Sequence, residues 1–315
     1  MKILVTGGCG YVGSVLIPKL LSKGIKVINI DTQYFGNYLK KNRNLKNIKC
    51  NINDINNISL KNVQAIIHLA SIANDPMAEL NKNLSWETSA LGTYKLLEHA
   101  KKYKVKRFIY ASSGSVYGIS KKKRVDETTF LKPISLYNKV KMCTEKIVQS
   151  YQDDLDIFIV RPATVCGYSP RMRYDVSVNV LTFNAFKFKK IRVFGGKQIR
   201  PNIHIDDMVD LYIYLLNIKK RYSGVYNAGF ENMSILNIAK LVQTKTDAKI
   251  NIEKDKNDPR SYRLDSQKLL NIGFKPKKKI IDAISTLLEM NQKKIIKDRK
   301  EFHSIKFLKK KIKDL

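Results

Sequence analysis

The residues best suited to chemistry begin almost at the amino terminus. Thr6-Gly7-Gly8-Cys9-Gly10-Tyr11-Val12-Gly13 follows a short apolar run, with glycines at 7, 10 and 13. That spacing serves a tight turn, a backbone bare enough to touch a pyrophosphate, and a helix amino terminus aimed at its charge. Asp31 ends the next apolar run, about 20 residues on, where a carboxylate accepts hydrogen bonds from adenosine ribose hydroxyls. A carboxylate there repels a 2′-phosphate, which favours NAD over NADP. Two alternatives stay open: Lys40 and Lys41 leave room for a phosphate, and Asp31 could simply cap a turn.

Tyr137-Asn138-Lys139-Val140-Lys141 lies in a stretch whose periodicity predicts a helix over Ser135–Tyr151. Tyr137 and Lys141 then share one face at i, i+4. A phenol titrating near about 10 is a poor base at neutral pH. A cation one turn away, plus a positive nicotinamide ring, favours the phenolate and is expected to pull that pKa down. The pattern alone says little. With 16 tyrosines in so Lys-rich a chain, roughly two Tyr-x-x-x-Lys matches arise by chance, and a second stands at Tyr117 and Lys121. That one contains Gly118 and suits a helix poorly. Ala111-Ser112-Ser113-Gly114-Ser115 supplies hydroxyls after a predicted strand, where a Ser can steady an alkoxide-like oxygen or merely form a turn.

These residues need a scaffold. Apolar runs at Lys2–Thr6, Lys26–Ile30, Asn47–Cys50, Ala65–Leu69, Arg107–Ala111 and Ile157–Arg161 read as buried parallel strands. Helical patterns separate them, which predicts an α/β fold with a doubly wound parallel sheet. Pro18 falls inside the first helix, where its ring should clash with the Ser14 carbonyl and kink it. Beyond about Arg161 the alternation loosens. Helices near Val176–Lys187, Asp206–Asn217 and Ser234–Thr244 alternate with loops at Gly167–Asp175 and Lys254–Tyr262, a natural place to read a substrate. The expected division is a Rossmann domain over 1–165, with 199–225 returning to it. A smaller C-terminal α/β substrate-binding domain follows over 166–198 and 226–295, and residues 296–315 form a basic tail, an extra surface helix or frayed.

The net charge is +32. Runs such as Lys121-Lys122-Lys123 and Lys309-Lys310-Lys311 lack the interleaved aromatics of a base-stacking surface, so no specific nucleic-acid binding is expected. The charge still favours a doubly anionic substrate. No apolar run approaches the ~20 residues of a spanning helix. Four scattered cysteines without CxxC spacing point to a reducing cytoplasm, with neither disulfides nor a metal site.

Taken in order, the motifs resemble the nucleotide-sugar epimerase/dehydratase branch of the extended short-chain dehydrogenases/reductases, UDP-glucose 4-epimerase-like, from Met1 to about Asn291. They are the glycine loop, Asp31 with Gly36, Asp54-Ile55, His68-Leu69-Ala70, Ser113 to Gly118, Tyr137 with Lys141, and Arg200 before Ile203-His204-Ile205-Asp206-Asp207. The resemblance implies Ser113, Tyr137 and Lys141 as the catalytic triad. It implies that Asp54 and Ile55 meet the adenine, and that Leu69, Ala70, Ser89 and Ala111 lie along the cofactor. Arg200 and Arg260 would grip a substrate diphosphate, with Ser115, Thr164 and Asn179 also facing the substrate. A homodimer through helices near Leu84–Tyr103 and Ser135–Tyr151 is implied too. Departures limit it: dehydratases carry an Asp-Glu pair where this chain has Gly114 and Ser115. Ser89 stands where many relatives have Asn, and Thr164 where 4-epimerases often do. In Ser169-Pro170-Arg171-Met172-Arg173-Tyr174-Asp175, Arg171 and Arg173 could grip phosphate or sugar hydroxyls, or form a solvated basic loop.

The expected reaction removes a hydroxyl proton at a sugar carbon, probable site C4, through Tyr137 while hydride passes to NAD. An epimerase returns the hydride to the opposite face; a dehydrogenase or reductase releases reduced cofactor and keto product. A non-catalytic nucleotide- or RNA-binding protein on the same fold is the reading from another class.

Overall fold

The computed structural model describes residues 1–120, 122, 124–253 and 261–311. Lys121, Lys123, Arg260 and most of the loop expected at Lys254–Tyr262 lie outside the described residues.

Strands run in chain order as β1 (Lys2–Thr6), β2 (Lys26–Asp31), β3 (Leu45–Lys49), β4 (Ala65–His68), β5 (Arg107–Ala111) and β6 (Asp156–Pro162). There follow β7 (Thr164–Cys166), β8 (Lys190–Phe194), β9 (Ile199–His204), β10 (Gly224–Ala228), β11 (Glu231–Ser234) and β12 (Lys249–Glu253). A seven-stranded sheet has the order β10-β6-β5-β4-β1-β2-β3, and every pair in it is parallel. Its central strands are apolar throughout, as a sheet covered on both faces requires. The strand order reverses between β1 and β4, and a crevice opens there at the carboxyl edge.

Two apolar clusters flank this sheet. Ile3, Leu16, Phe158 and Met208 belong to one, and Leu4, Leu96, Phe108 and Ile159 to the other. The Gly13–Ser22 helix runs on through Pro18 as a single element. Residues 199–204 do not return to the main sheet, because β9 pairs with β7 and β11; the Ile205–Asn217 helix and β10 do. A third cluster, around Val178, Ile191, Ile238 and Ile284, is the core of the smaller lobe and backs the parallel pair β8-β12. Of the two forms expected for the tail, a helix and a frayed end, the described residues form a helix over Ser304–Lys311 with one face packed. Phe302 is 3% and Leu308 2% exposed, and the Ser304–Lys311 helix lies against the space between the lobes.

Candidate active site

A single cavity of about 820 Å3 joins the lobes at the crevice. Strands β1, β4, β5 and β6 all end on it, delivering Gly7, Leu69 with Ala70, Ala111 to Ser113, and Ala163 with Thr164. A buried histidine aligns the first two of these ends. His68 joins Thr6 Oγ1 (2.6 Å) and Thr93 Oγ1 (2.8 Å), and Thr6 Oγ1 accepts the Ala70 N–H. Burial first, and then the Lys141 charge, pull this imidazole down to about 3, so it stays neutral.

The glycine loop has the shape a dinucleotide requires. Gly7 adopts φ +72°, and a Cβ there would stand 2.7 Å from the Ala70 nitrogen. At Gly10 a Cβ would meet only the Gly7 carbonyl, at 3.1 Å, leaving a bare backbone cradle on the cavity wall. Tyr11, Val12 and Gly13 line the same wall. Asp31 faces the cavity and accepts N–H bonds from Cys9 (2.9 Å) and Gln33 (2.6 Å). Burial pushes its carboxyl up, against those N–H groups and the Arg171 charge. These features fit NAD: a pyrophosphate against the loop and ribose hydroxyls at Asp31.

Tyr137 and Lys141 both line the cavity from the Leu136–Gln149 helix, which Ser135 caps by accepting the Asn138 N–H. The Ser113 hydroxyl faces the Tyr137 phenol closely enough to oppose the rise in its pKa. Ser115 donates to Asn138 Oδ1 (2.6 Å) and shares a 2.8 Å hydrogen bond with Ser113, so Asn138 anchors the serine pair. The protein's own groups do not lower the phenol, and Lys141 is not among those acting on it. Burial pushes Tyr137 up to about 12, Asp75 adds to the rise, and the Ser113 hydroxyl and the Arg173 charge oppose it. Lys141 donates instead to the Ala111 carbonyl (2.7 Å), and burial holds its ammonium down to about 7. It is 5.9 Å from the Tyr137 ring centroid.

Behind the triad lies a buried ion pair. Glu145, one turn past Lys141, accepts from Arg161 Nη2 (2.6 Å) and Nε (3.0 Å) and from the Ser112 hydroxyl. Arg161 also donates to Tyr117 Oη (2.8 Å), which donates to Asn227 (2.7 Å). The Leu136–Gln149 helix is thereby bolted to the ends of β5, β6 and β10.

Several expected contacts are relocated. Asp54 and Ile55 do not reach the cavity: β3 stops at Lys49, Asn51 and Ile52 occupy the wall, and Ile55 is 0% exposed in the core. Ser89 sits on a turn of π-helix at Glu87–Leu91, where its hydroxyl pairs with Ser71 (3.1 Å) and Thr88 faces the cavity instead. Asn179 is buried in holding loops, donating to Tyr11 Oη (3.0 Å) and accepting from the Gly167 N–H (3.0 Å). It does not line the cavity.

Arg171 and Arg173 do line it, at different ends. Arg171 stands at the Asp31 end of the cavity, with its guanidinium 4.2 Å from the Phe35 ring centroid. Arg173 pairs with Asp175 (2.6 Å) near Tyr137 and Asp75. Ser115, Thr164 and Arg200 line the cavity as expected of substrate-facing residues, and Arg192 and Phe194 from β8 join Arg200 there. Sequence reasoning missed Arg192, Asp75 and Asn138; only the last carried a signal, sitting between the two triad residues of its helix.

The NAD-dependent epimerase/dehydratase family model matches residues 3–229. A UDP-glucose 4-epimerase of Lactobacillus helveticus is 28% identical, over 90% of this chain and 94% of its own. A dTDP-D-glucose 4,6-dehydratase of Dictyostelium discoideum is 33% identical over 76% of this chain and 61% of its own. Among solved structures, the UDP-glucose 4-epimerase of Thermotoga maritima with UDP-glucose superposes with a TM-score of 0.84 at 27% identity. That match covers 94% of this chain and all of the other.

Proposed function

The chain belongs to the NAD-dependent epimerase/dehydratase family, and from that premise we propose that it is a nucleotide-sugar epimerase acting at C4. The relatives it resembles include an epimerase and a dehydratase, so the choice between them rests on the site. The sugar dehydratases that this chain resembles carry an acidic pair for water elimination where it has Gly114 and Ser115. A Cβ at Gly114 would stand 2.9 Å from Leu264 Cδ1 and 3.1 Å from the Pro162 carbonyl, which leaves no room for a carboxylate without repacking. That observation carries the reading.

When bound, NAD supplies the hydride acceptor and donor. Tyr137 takes the proton of the sugar hydroxyl, and Ser113 donates a hydrogen bond that steadies the same oxygen as charge develops. Lys141 fixes the β5 end through Ala111, and its ammonium lies 5.9 Å from the Tyr137 ring centroid. Arg192 and Arg200 hold the diphosphate, and Phe194, 43% exposed, offers its face to the base. The Asp31 carboxylate selects a cofactor without a 2′-phosphate. A homodimer belongs to the proposal: Trp86, Leu91 and Tyr94 are 38%, 44% and 46% exposed along one helical stretch, an apolar strip fit for a second copy. So does a cytoplasmic location, on the free cysteines.

The test is to incubate the purified protein with UDP-, GDP-, CDP- and dTDP-linked sugars and identify the products. Expected is a C4 diastereomer, formed without net NADH. Stoichiometric NADH and a keto product would make it a dehydrogenase, and co-purifying RNA without NAD a binding protein.

A further inference from the structure

The carboxyl-terminal segment 299–311 reaches across the cavity mouth and touches both lobes. Its first half is anchored on the smaller lobe. The Tyr174 N–H donates to the Phe302 carbonyl (2.9 Å), and Phe302 packs beside Tyr174 and Tyr38. Asp298, just upstream, holds Lys187 (2.5 Å) and His303 (2.8 Å). The segment also lies on the loop after β2. Tyr38 donates to Glu301 (2.6 Å), Phe307 packs at a tilt against Phe35 with ring centroids 5.8 Å apart, and the Lys311 ammonium donates to the Tyr34 carbonyl (2.9 Å).

Between these anchors Ile305 and Leu308 form part of the cavity wall, on the side where Asp31, Tyr34 and Phe35 stand. Arg171 links the segment to that end, donating from Nη2 to Ser304 Oγ (2.9 Å). Its side chain is 3% exposed and leaves Nε as a buried donor with no partner among the described residues. A buried, unpaired guanidinium N–H costs free energy unless something accepts from it.

We propose that residues 299–311 are a strap closing the adenosine end of the cofactor site, with Arg171 Nε donating to the bound dinucleotide. Ile305 and Leu308 cover the adenosine, and Asp31 and Arg171 hold its polar groups. The strap keeps one NAD in place through many turnovers. This rests on the epimerase reading, in which the same cofactor gives back the hydride it took.

The experiment measures cofactor retention. Wild-type protein, Phe307→Ser/Leu308→Ser, and a chain ending at His303 are loaded with NADH and desalted. NADH release is then followed by fluorescence during a chase with NAD. Lys309→Ser/Lys310→Ser, on the exposed face of the same helix, is the control. The strap predicts at least about tenfold faster release for both strap variants and an unchanged rate for the control. Arg171→Lys, which keeps the charge and loses the Nε geometry, should weaken NAD binding while the substrate KM stays put. If the truncated chain does not fold, the double serine variant decides. Release at the wild-type rate from folded strap variants that still turn over would overturn the strap and leave the epimerase reading standing. A wild-type chain that retains no dinucleotide would overturn both.

Discussion

Arg161→Met should cost stability out of proportion to its surface change. The wild-type guanidinium and the Glu145 carboxylate meet through Nη2 at 2.6 Å and Nε at 3.0 Å, with side chains only 6% and 2% exposed. Removing one partner strands the other charge in the core, a loss of about 3–5 kcal/mol. Glu145→Leu strands Arg161 and also deprives the Ser112 hydroxyl of its acceptor, for a cost at least as large. The double variant leaves no unpaired charge. What remains is one hydroxyl at Ser112 and one lost donor at Tyr117, together roughly 1–3 kcal/mol. Urea unfolding of the four proteins at pH 7 is therefore expected to show strong non-additivity, with a coupling energy of at least about 3 kcal/mol. The double variant should also keep a lowered kcat at unchanged substrate KM, because Ser112, beside the catalytic Ser113, stays unanchored. Single variants that each lose less than about 1 kcal/mol, or losses that simply add, would refute the bolt between the helix and β5.

Four further outcomes follow from the same geometry. Tyr137→Phe should abolish turnover while NAD binding persists; turnover near the wild-type rate would remove the proposed base. Asp75→Asn should move the basic onset of activity to lower pH and Arg173→Gln to higher pH, since the two charges respectively raise and lower the phenol; a shift of either in the other direction refutes the assignment. For Lys141 the folded pKa, about 7, lies below the unfolded value of about 10.4, so the folded chain binds fewer protons across that interval and stability rises with pH. Relative to Lys141→Met, the wild type should gain about 2 kcal/mol between pH 7 and 9 in urea titrations; a flat difference is the contrary result. Gly114→Ala should cost about 1–3 kcal/mol through Leu264 and Pro162, read as a lowered urea midpoint with unchanged slope.

Features set by local covalent geometry were legible in the residues. The glycine loop had to be a strand–turn–helix because only Gly allows the 2.7 Å approach to Ala70, and Asp31 had to end β2 because the apolar run stops there. The Tyr137–Lys141 spacing needed only a helix. Positions just after an element end were less secure. Placing the adenine contact at Asp54 and Ile55 overlooked that the chain turns away from the sheet edge within two residues of β3, putting Asn51 and Ile52 on the wall. The same weakness misled at Ser89, where a π-turn rotates Thr88 into the cavity, a shift that no periodicity of 3.6 reveals.

What stayed illegible depends on residues brought together by the packing of two lobes. Arg171 and Arg173 are two apart and look like one phosphate grip. The loop between β7 and the Ser177–Phe188 helix instead crosses the cavity, so that one guanidinium meets Asp31 and Phe35 while the other meets Asp175 beside the phenol. A single loop therefore lines the cavity beside Asp31 at one end and near Tyr137 at the other. Met172, between the two arginines, is fully buried in the cluster that holds Tyr174 and Phe302. Tyr174, next along the loop, is hydrogen-bonded by its backbone to Phe302 of the strap. Closing the adenosine end and placing Arg173 near Tyr137 thus draw on one set of contacts. A change in the strap reaches the phenol only by moving Arg173, and so it should alter the pH profile together with cofactor release.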